Sequence, residues 1–266
     1  MKSNFTLLGL VLILTACGQD PATVDETAAT NANAEVEVSI YAAAVTTPTR
    51  LERDYVRDAG RQPENVLEFL GIERGMTVLD IYSGGGYYTE LVASVVGEEG
   101  HVVSHSNMAY MNFVGEEFKQ RHADGRLPNV EVLMAENNEL SLNEAAFDAI
   151  LLMLSYHDTY YSDPENGWDA IDIPKFLAEL NKGLKPDGFI AIVDHYAAAG
   201  TAQESGGTVH RIDPAIVIAD MEAAGFTCES KSDILRNLND DYSKIVFDPE
   251  VRGKTDRFVQ RFRKSD

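Results

Sequence analysis

The chain has 266 residues, with 43 acidic and 22 basic side chains and a formal net charge of −21. An acidic excess of that size argues against a nucleic-acid backbone or an anionic lipid surface as the main partner, because both repel it. Two cysteines, Cys17 and Cys228, leave room for neither a disulfide framework nor a thiolate metal cluster.

Lys2 and the almost wholly apolar run 5–16 have the charge and length of a secretory signal, and the run is too short to span a bilayer as a helix. Leu14-Thr15-Ala16-Cys17 has the form of a bacterial lipobox. The expectation is a lipoprotein signal over 1–17, with acyl chains on Cys17 anchoring the mature protein on the periplasmic side of the cell envelope. Gly18 in place of an aspartate at the second mature position favours the outer membrane in a Gram-negative cell. Residues 20–49 are rich in Ala, Thr, Asn and acid and hold no Lys or Arg. With little apolar surface to offset ordering entropy, 18–49 reads as a flexible acidic tether and 50–266 as the folded domain.

Short apolar runs then alternate with helical patterns. A helix is expected over 63–70, opened by Pro63, with Val66, Leu67 and Leu70 on one face. Strands are expected at 76–81, 101–105 and 130–134, with helices at 87–96 and 113–123 between them. The continuous apolar run 147–154 suits a central parallel strand covered on both faces. A helix at 173–184, a turn at Lys185-Pro186-Asp187-Gly188 and a strand at 189–193 follow. Asp213 caps a helix with Pro214 at its first position and Gly225 after its end. Residues 226–235, 242–247 and 257–262 supply the last strands, and the basic stretch 252–264 reads as a solvated edge. Strands alternating with helices predict an α/β fold with a doubly wound, mostly parallel sheet.

Ligands of such sheets bind beyond the carboxyl ends of the strands. Five segments follow predicted strands there: the Ser83-Gly84-Gly85-Gly86 turn, Asn107, Glu136, Tyr156-His157-Asp158 and Asp194-His195. The turn lacks Gly-x-Gly-x-x-Gly and Gly-Lys-Ser/Thr, the dinucleotide and phosphate-loop patterns. A tight strand-to-helix turn with no ligand is the bland alternative.

Val78-Leu79-Asp80-Ile81-Tyr82-Ser83-Gly84-Gly85-Gly86 resembles motif I of the class I S-adenosylmethionine-dependent methyltransferases, with Tyr82 where the first glycine usually stands. Residues 147–152, 184–189, 135–140 and 222–226 resemble the family's fourth strand, the approach to its fifth, its adenine-contacting segment and its last helix-to-strand corner. The order of the glycine turn, Ser-Tyr-His-Asp, Asp-His and His-Arg-Ile-Asp resembles a subgroup of predicted bacterial methyltransferases with unassigned substrates. The resemblance implies a seven-stranded Rossmann-like sheet with an antiparallel C-terminal strand and S-adenosylmethionine as cofactor. It assigns cofactor contacts to Asp80, Ser83, Gly84, Gly85, Gly86, Asn107 and Glu136. The acid that usually ends the second strand and binds the ribose is missing; Ser106 and Asn107 stand there instead.

Methyl transfer needs alignment and, for a protonated acceptor, a base. His157, Asp158 and Tyr156 are the catalytic candidates, and Asp194, His195 and His210 the substrate or lid candidates. Structural roles compete for each histidine. No pair has tight ligand spacing, so no metal is assigned. Tyr87, Tyr88, Tyr156, Tyr160, Tyr161 and Trp168 offer an aromatic wall or, more plainly, core. The expected function is methyl transfer to a small-molecule acceptor. The alternative is an inactive methyltransferase fold that binds an envelope ligand, and a metal-dependent hydrolase or lyase is a third possibility.

Overall fold

The computed structural model describes residues 38–265. The proposed signal, Cys17 and most of the expected tether lie outside the described residues. No helix among the described residues is long and apolar enough to cross a membrane.

Three helices come first, α1 (Ile40–Thr46), α2 (Glu52–Arg61) and α3 (Pro63–Leu70). The strands are β1 (Thr77–Ile81), β2 (His101–Ser106), β3 (Val130–Met134), β4 (Phe147–Met153), β5 (Leu184–His195), β6 (Phe226–Ser232) and β7 (Arg257–Lys264). Between them lie α4 (Tyr87–Val96), α5 (Met108–His122), α6 (Ile173–Gly183), α7 (Ser205–Val209) and α8 (Pro214–Ala223). The strands form one sheet in the order β3-β2-β1-β4-β5-β7-β6, parallel from β3 to β5 with β7 antiparallel to both neighbours. The expected fold class is borne out.

Side chains along a strand point alternately to opposite faces, and β4 shows why its apolar run is unbroken. Ala149, Leu151 and Met153 pack with α3 and α4 residues such as Leu67 and Leu91. Ile150 and Leu152 pack on the other face with Phe176 and Leu180 of α6 and Met221 of α8.

Four expectations are corrected. Residues 40–46 are a helix, not tether: Ser39 caps it through Ala42 N at 3.0 Å, and Ala44 is buried in the core. The turn at 185–188 lies inside β5 as an irregularity, since β5 advances from Leu184 to Phe189 while β4 advances only from Phe147 to Ala149. Residues 242–247 are not a strand. The buried Arg211 guanidinium holds the Lys244 carbonyl at 3.0 Å and the Asp240 carboxylate, which keeps this segment as a loop. The basic β7 is not an edge but lies between β5 and β6. Its cations are used internally: Arg257 donates to the Gly60 carbonyl, Arg261 sits 4.1 Å over the Phe189 ring, and Arg261 and Arg263 pair with Glu229.

Helix α5 begins at Met108, five residues before the expected 113, because Asn107 caps it by accepting from Tyr110 N at 2.8 Å. Its fully buried Arg121 joins four pieces of the fold. The guanidinium reaches Asp54 of α2 at 2.5 Å, the Gly85 carbonyl at 2.9 Å and Glu90 of α4. Removing one partner of such a cluster leaves uncompensated buried charge. Arg121→Ala is therefore expected to cost about 3–5 kcal/mol in urea unfolding; a loss under ~1 kcal/mol would contradict it.

Two buried ionisable groups sit near the ends of β1 and β2. Asp80 is 1% exposed and accepts from Thr89 Oγ1 at 2.6 Å, and burial pushes its pKa up to about 7. His105 is fully buried against the Ala135 carbonyl at 3.0 Å, and burial lowers its pKa to about 4. Folded Asp80 holds its proton longer than the unfolded chain does, so it costs stability as pH rises from 3.8 to about 7. Folded His105 resists protonation, so its contribution is lost as pH falls from 6.5 to about 4. The two trends oppose each other over nearly one window. Asp80→Asn removes the first. Its stability relative to wild type should grow by on the order of 4 kcal/mol between about pH 4 and pH 8; a difference that stays flat with pH would refute the assignment.

Candidate active site

The glycine turn leaves β1 with Tyr82 at φ 52°, Gly84 at 59° and Gly86 at 75°. Left-handed backbone suits glycine and strains a tyrosine. Tyr82 is held there by stacking on Tyr110 of α5, with ring centroids 4.6 Å apart. Ser83 N donates to the His105 carbonyl at 3.0 Å, and Ser104 Oγ donates to Ser83 Oγ at 2.8 Å. The turn is thus pinned to β2.

Helix α5 lies across this turn. A Cβ on Gly85 would fall 2.3 Å from Cδ of Glu117, and one on Gly86 would fall 2.9 Å from Cγ of Arg121. The close approach that these glycines allow is filled by α5 side chains. Tyr110 also donates from its hydroxyl to Asp158 and meets Trp168 at 5.3 Å, so α5 bridges from β2 over β1 to the segment after β4. Tyr161 and Trp168 continue the aromatic wall, 5.3 Å apart.

Polar atoms beside the turn are unsatisfied. Ser106 Oγ ends β2, Asn137 Nδ2 follows β3 and Ser155 Oγ follows β4; all three are buried without a hydrogen-bond partner. Buried polar groups are normally paired, so these orphans at the ends of β2, β3 and β4 would gain partners from a polar ligand. A nucleoside matches that donor set: Ser106 and Asn137 stand at the ribose and adenine ends of the resemblance. Asn107 and Glu136 instead serve α5, since Asn107 caps it and Glu136 Oε1 accepts from Met108 N at 3.2 Å. Asp80 holds α4 through Thr89. A cleft of about 530 Å³ opens at the amino ends of the strands, beside Asp148 and Lys185, and holds none of the expected site residues.

Beyond β4 and β5 the expected residues do converge. Residues 156–160 form a 3-10 turn. Asp194 Oδ2 accepts from His157 N and Oδ1 accepts from His157 Nδ1, both at 2.8 Å. His157 Nε2 then faces His210 Nδ1 at 3.1 Å and Asp158 Oδ1 at 3.3 Å. His210 Nδ1 lies 3.5 Å from the same Asp158 oxygen. Burial alone would lower the His157 pKa, but the Asp158 and Asp194 carboxylates outweigh it and lift it to about 9. Burial works to raise the Asp158 pKa, and the His157 charge with hydrogen bonds from His210 and Tyr110 holds it below the usual carboxylate range.

Two candidates stay outside this cluster. Tyr156, fully buried, donates to Asp220 at 2.8 Å, as Tyr160 does at 2.6 Å, so its hydroxyl is structural. His195 meets Thr255 Oγ1 at 2.7 Å, and burial pushes its pKa well below the usual value. Tyr87 and Tyr88 leave the aromatic wall: Arg61 of α2 lies 4.4 Å from the Tyr87 ring centre. Sequence reasoning missed Tyr110, Glu117 and Arg121, because nothing in a helical pattern says which strand end its helix crosses. Asn137 had a signal, its place beside Glu136.

The sequence model of the protein-L-isoaspartate(D-aspartate) O-methyltransferase family matches residues 40–159, starting where α1 starts. A demethylmenaquinone methyltransferase of Listeria monocytogenes is 27% identical over 134 residues, 49% of this chain and 49% of its own length. A ubiquinone/menaquinone biosynthesis C-methyltransferase of Idiomarina loihiensis is 30% identical over 125 residues, 47% of this chain and 44% of its own. The chain thus spans about half the length of the curated relatives it matches. Among solved structures, a SAM-dependent methyltransferase from Aquifex aeolicus aligns with TM-score 0.54 at 25% identity, over 78% of this chain and 94% of that one. A putative sarcosine dimethylglycine methyltransferase from Galdieria sulphuraria aligns with TM-score 0.54 at 18% identity, over 80% and 88% of the two chains. With seven strands in this order and one antiparallel member, the chain has the class I methyltransferase fold.

Proposed function

We propose that the protein is an S-adenosylmethionine-dependent methyltransferase acting on a small-molecule acceptor. The observation that carries the reading is the row of buried, unsatisfied polar atoms, Ser106 Oγ, Asn137 Nδ2 and Ser155 Oγ, beyond the carboxyl ends of β2, β3 and β4. When bound, S-adenosylmethionine supplies a methyl group on an electrophilic sulfonium. Ser106 and Asn137 would hold its nucleoside, with the backbone of the 82–86 turn beside it. The aromatic wall of Tyr110, Tyr161 and Trp168 flanks the acceptor side and keeps water from it. The His157–Asp158–His210 cluster would hold and orient a polar acceptor. Glu117 and Arg121 of α5 pack against Gly85 and Gly86 on the side where a Cβ would stand.

Calorimetry of the full-length protein with S-adenosylhomocysteine tests this. Saturable heat at one site per chain is expected. Tyr82→Gly relieves left-handed backbone that costs ~1–2 kcal/mol, so it should raise stability in urea unfolding, and by removing the ring stacked on Tyr110 it should bind S-adenosylhomocysteine more tightly than wild type. No heat from either protein at millimolar ligand would sink the reading and favour an inactive, ligand-binding fold.

We also propose that Cys17 carries the lipid that holds this domain at the cell envelope, outer membrane in a Gram-negative host. The lipobox supports it. Cys17→Ala should move the protein from the membrane fraction to the soluble one; unchanged fractionation with no acyl mass on Cys17 would reject the anchor.

A further inference from the structure

We propose that His157 Nε2, Asp158 Oδ1 and His210 Nδ1 are the ligands of a divalent transition-metal ion, zinc or ferrous iron in chemistry. The three atoms are separated by 3.1, 3.3 and 3.5 Å. Ligands about 2.0–2.2 Å from one ion stand roughly 3–3.5 Å apart along an edge of its coordination shell. The triangle therefore already has the size of one face of that shell. Two imidazoles and one carboxylate on one face suit zinc or iron better than magnesium or calcium, which prefer oxygen throughout.

The surroundings point the same way. Metal-bound histidines almost always donate their second ring N–H to a carboxylate or carbonyl. Asp194 occupies that place on His157 Nδ1 and grips the His157 backbone N–H with its other oxygen, leaving Nε2 facing the triangle. Tyr110 does the equivalent for Asp158, taking Oδ2 and leaving Oδ1 inward. Among the described residues neither carboxylate has a lysine or arginine partner; their ion-pair contacts are to histidines alone. With imidazoles as their only ion-pair partners, the two buried carboxylates suit a site that takes up a cation.

The third ligand is delivered on a left-handed turn. His210 has φ 54° and ψ 48° at the C-terminal end of α7, a conformation that histidine enters more readily than most residues, and the surroundings fix it. They do so from both sides. Gly206 of α7 packs so tightly that a Cβ there would lie 2.3 Å from the His157 carbonyl oxygen. The next residue, Arg211, is clamped by Asp240 at 2.9 and 3.0 Å and by the Tyr196 carbonyl at 3.0 Å. A loop with two glycines and a buried arginine thus sets one imidazole against another.

A metal held by three protein atoms keeps positions open for an acceptor oxygen and lowers its pKa. Resting on the methyl-transfer reading, a hydroxyl acceptor would bind there and release its proton to solvent. Its oxygen would then form the O–CH3 bond as the C–S bond breaks, the electron pair staying on sulfur to leave a neutral thioether. Metal uptake itself stands without that reading and is measured without S-adenosylhomocysteine.

The test uses the full-length protein, stripped with chelator and titrated with Zn(II) by calorimetry and with Co(II) by visible absorption. One Zn(II) per chain and a Co(II) spectrum of low coordination number are expected. Asp194→Asn should weaken Zn(II) by roughly 10- to 100-fold, and His210→Asn, whose asparagine tolerates left-handed backbone, by more. Circular dichroism would check that both variants are folded; should His210→Asn fail to fold, Asp194→Asn and the wild-type stoichiometry still decide. Substoichiometric uptake by wild type, or unchanged affinity in a folded variant, overturns the proposal.

Discussion

The site depends on one carboxylate. Asp194, one residue before the end of β5, is fully buried, and its hydrogen bonds come from the His157 backbone and ring and from the His195 backbone N–H. Satisfying it requires the chain after β4 to bend over the end of β5, which is what the 156–160 turn does. That bend fixes the His157 ring, and with it the position of Asp158 and the surface on which α7 docks. An asparagine would keep the shape and lose the charge-assisted bond that orients the imidazole.

The same logic repeats with cations. Arg121 and Arg211 are both fully buried, and each ties its segment to distant parts of the chain. Arg121 holds α5 on the glycine turn, and Arg211 holds the His210 loop against the sheet. Polar clamps of this kind set position more than they add stability, because desolvation offsets much of their attraction. They add fixed polar contacts to the apolar packing of Tyr110 and Ile212, and so place a helix and a loop accurately above a strand end.

The alternation of strand and helix was legible because burial on both faces writes itself into runs such as 147–153 and because Pro63, Asp213 and Pro214 mark helix starts. The convergence of residues 157, 158, 194 and 210 followed from their places after strands or in the glycine-bearing loop. What the sequence hid was partnership. Asn107 and Glu136, read as ligand contacts, also cap α5, while Tyr156 pairs with Asp220 sixty-four residues away. The basic C-terminal run looked solvated because charge composition does not reveal that a strand will be inserted between two others and have its arginines paired. Residues 40–46 read as tether because alanine and threonine give little apolar signal, yet Ala44 is small enough to seat a helix closely on the core.

Burying charged side chains has an outward effect. Arg50, Arg121, Arg211 and Arg257 are each at most 6% exposed, so four of the 22 positive side chains are withdrawn from the exterior. Eight carboxylates, Asp54, Asp80, Glu90, Asp158, Asp194, Asp213, Asp240 and Asp256, are buried with them at no more than 9% exposure, so the face shown to solvent keeps most of the acidic excess without exceeding it. Within a screening length of about 8 Å at physiological salt, such a surface pushes away acidic neighbours and phospholipid headgroups and gathers a cloud of counter-ions. The protein in effect carries its own standoff from any negatively charged wall beside it.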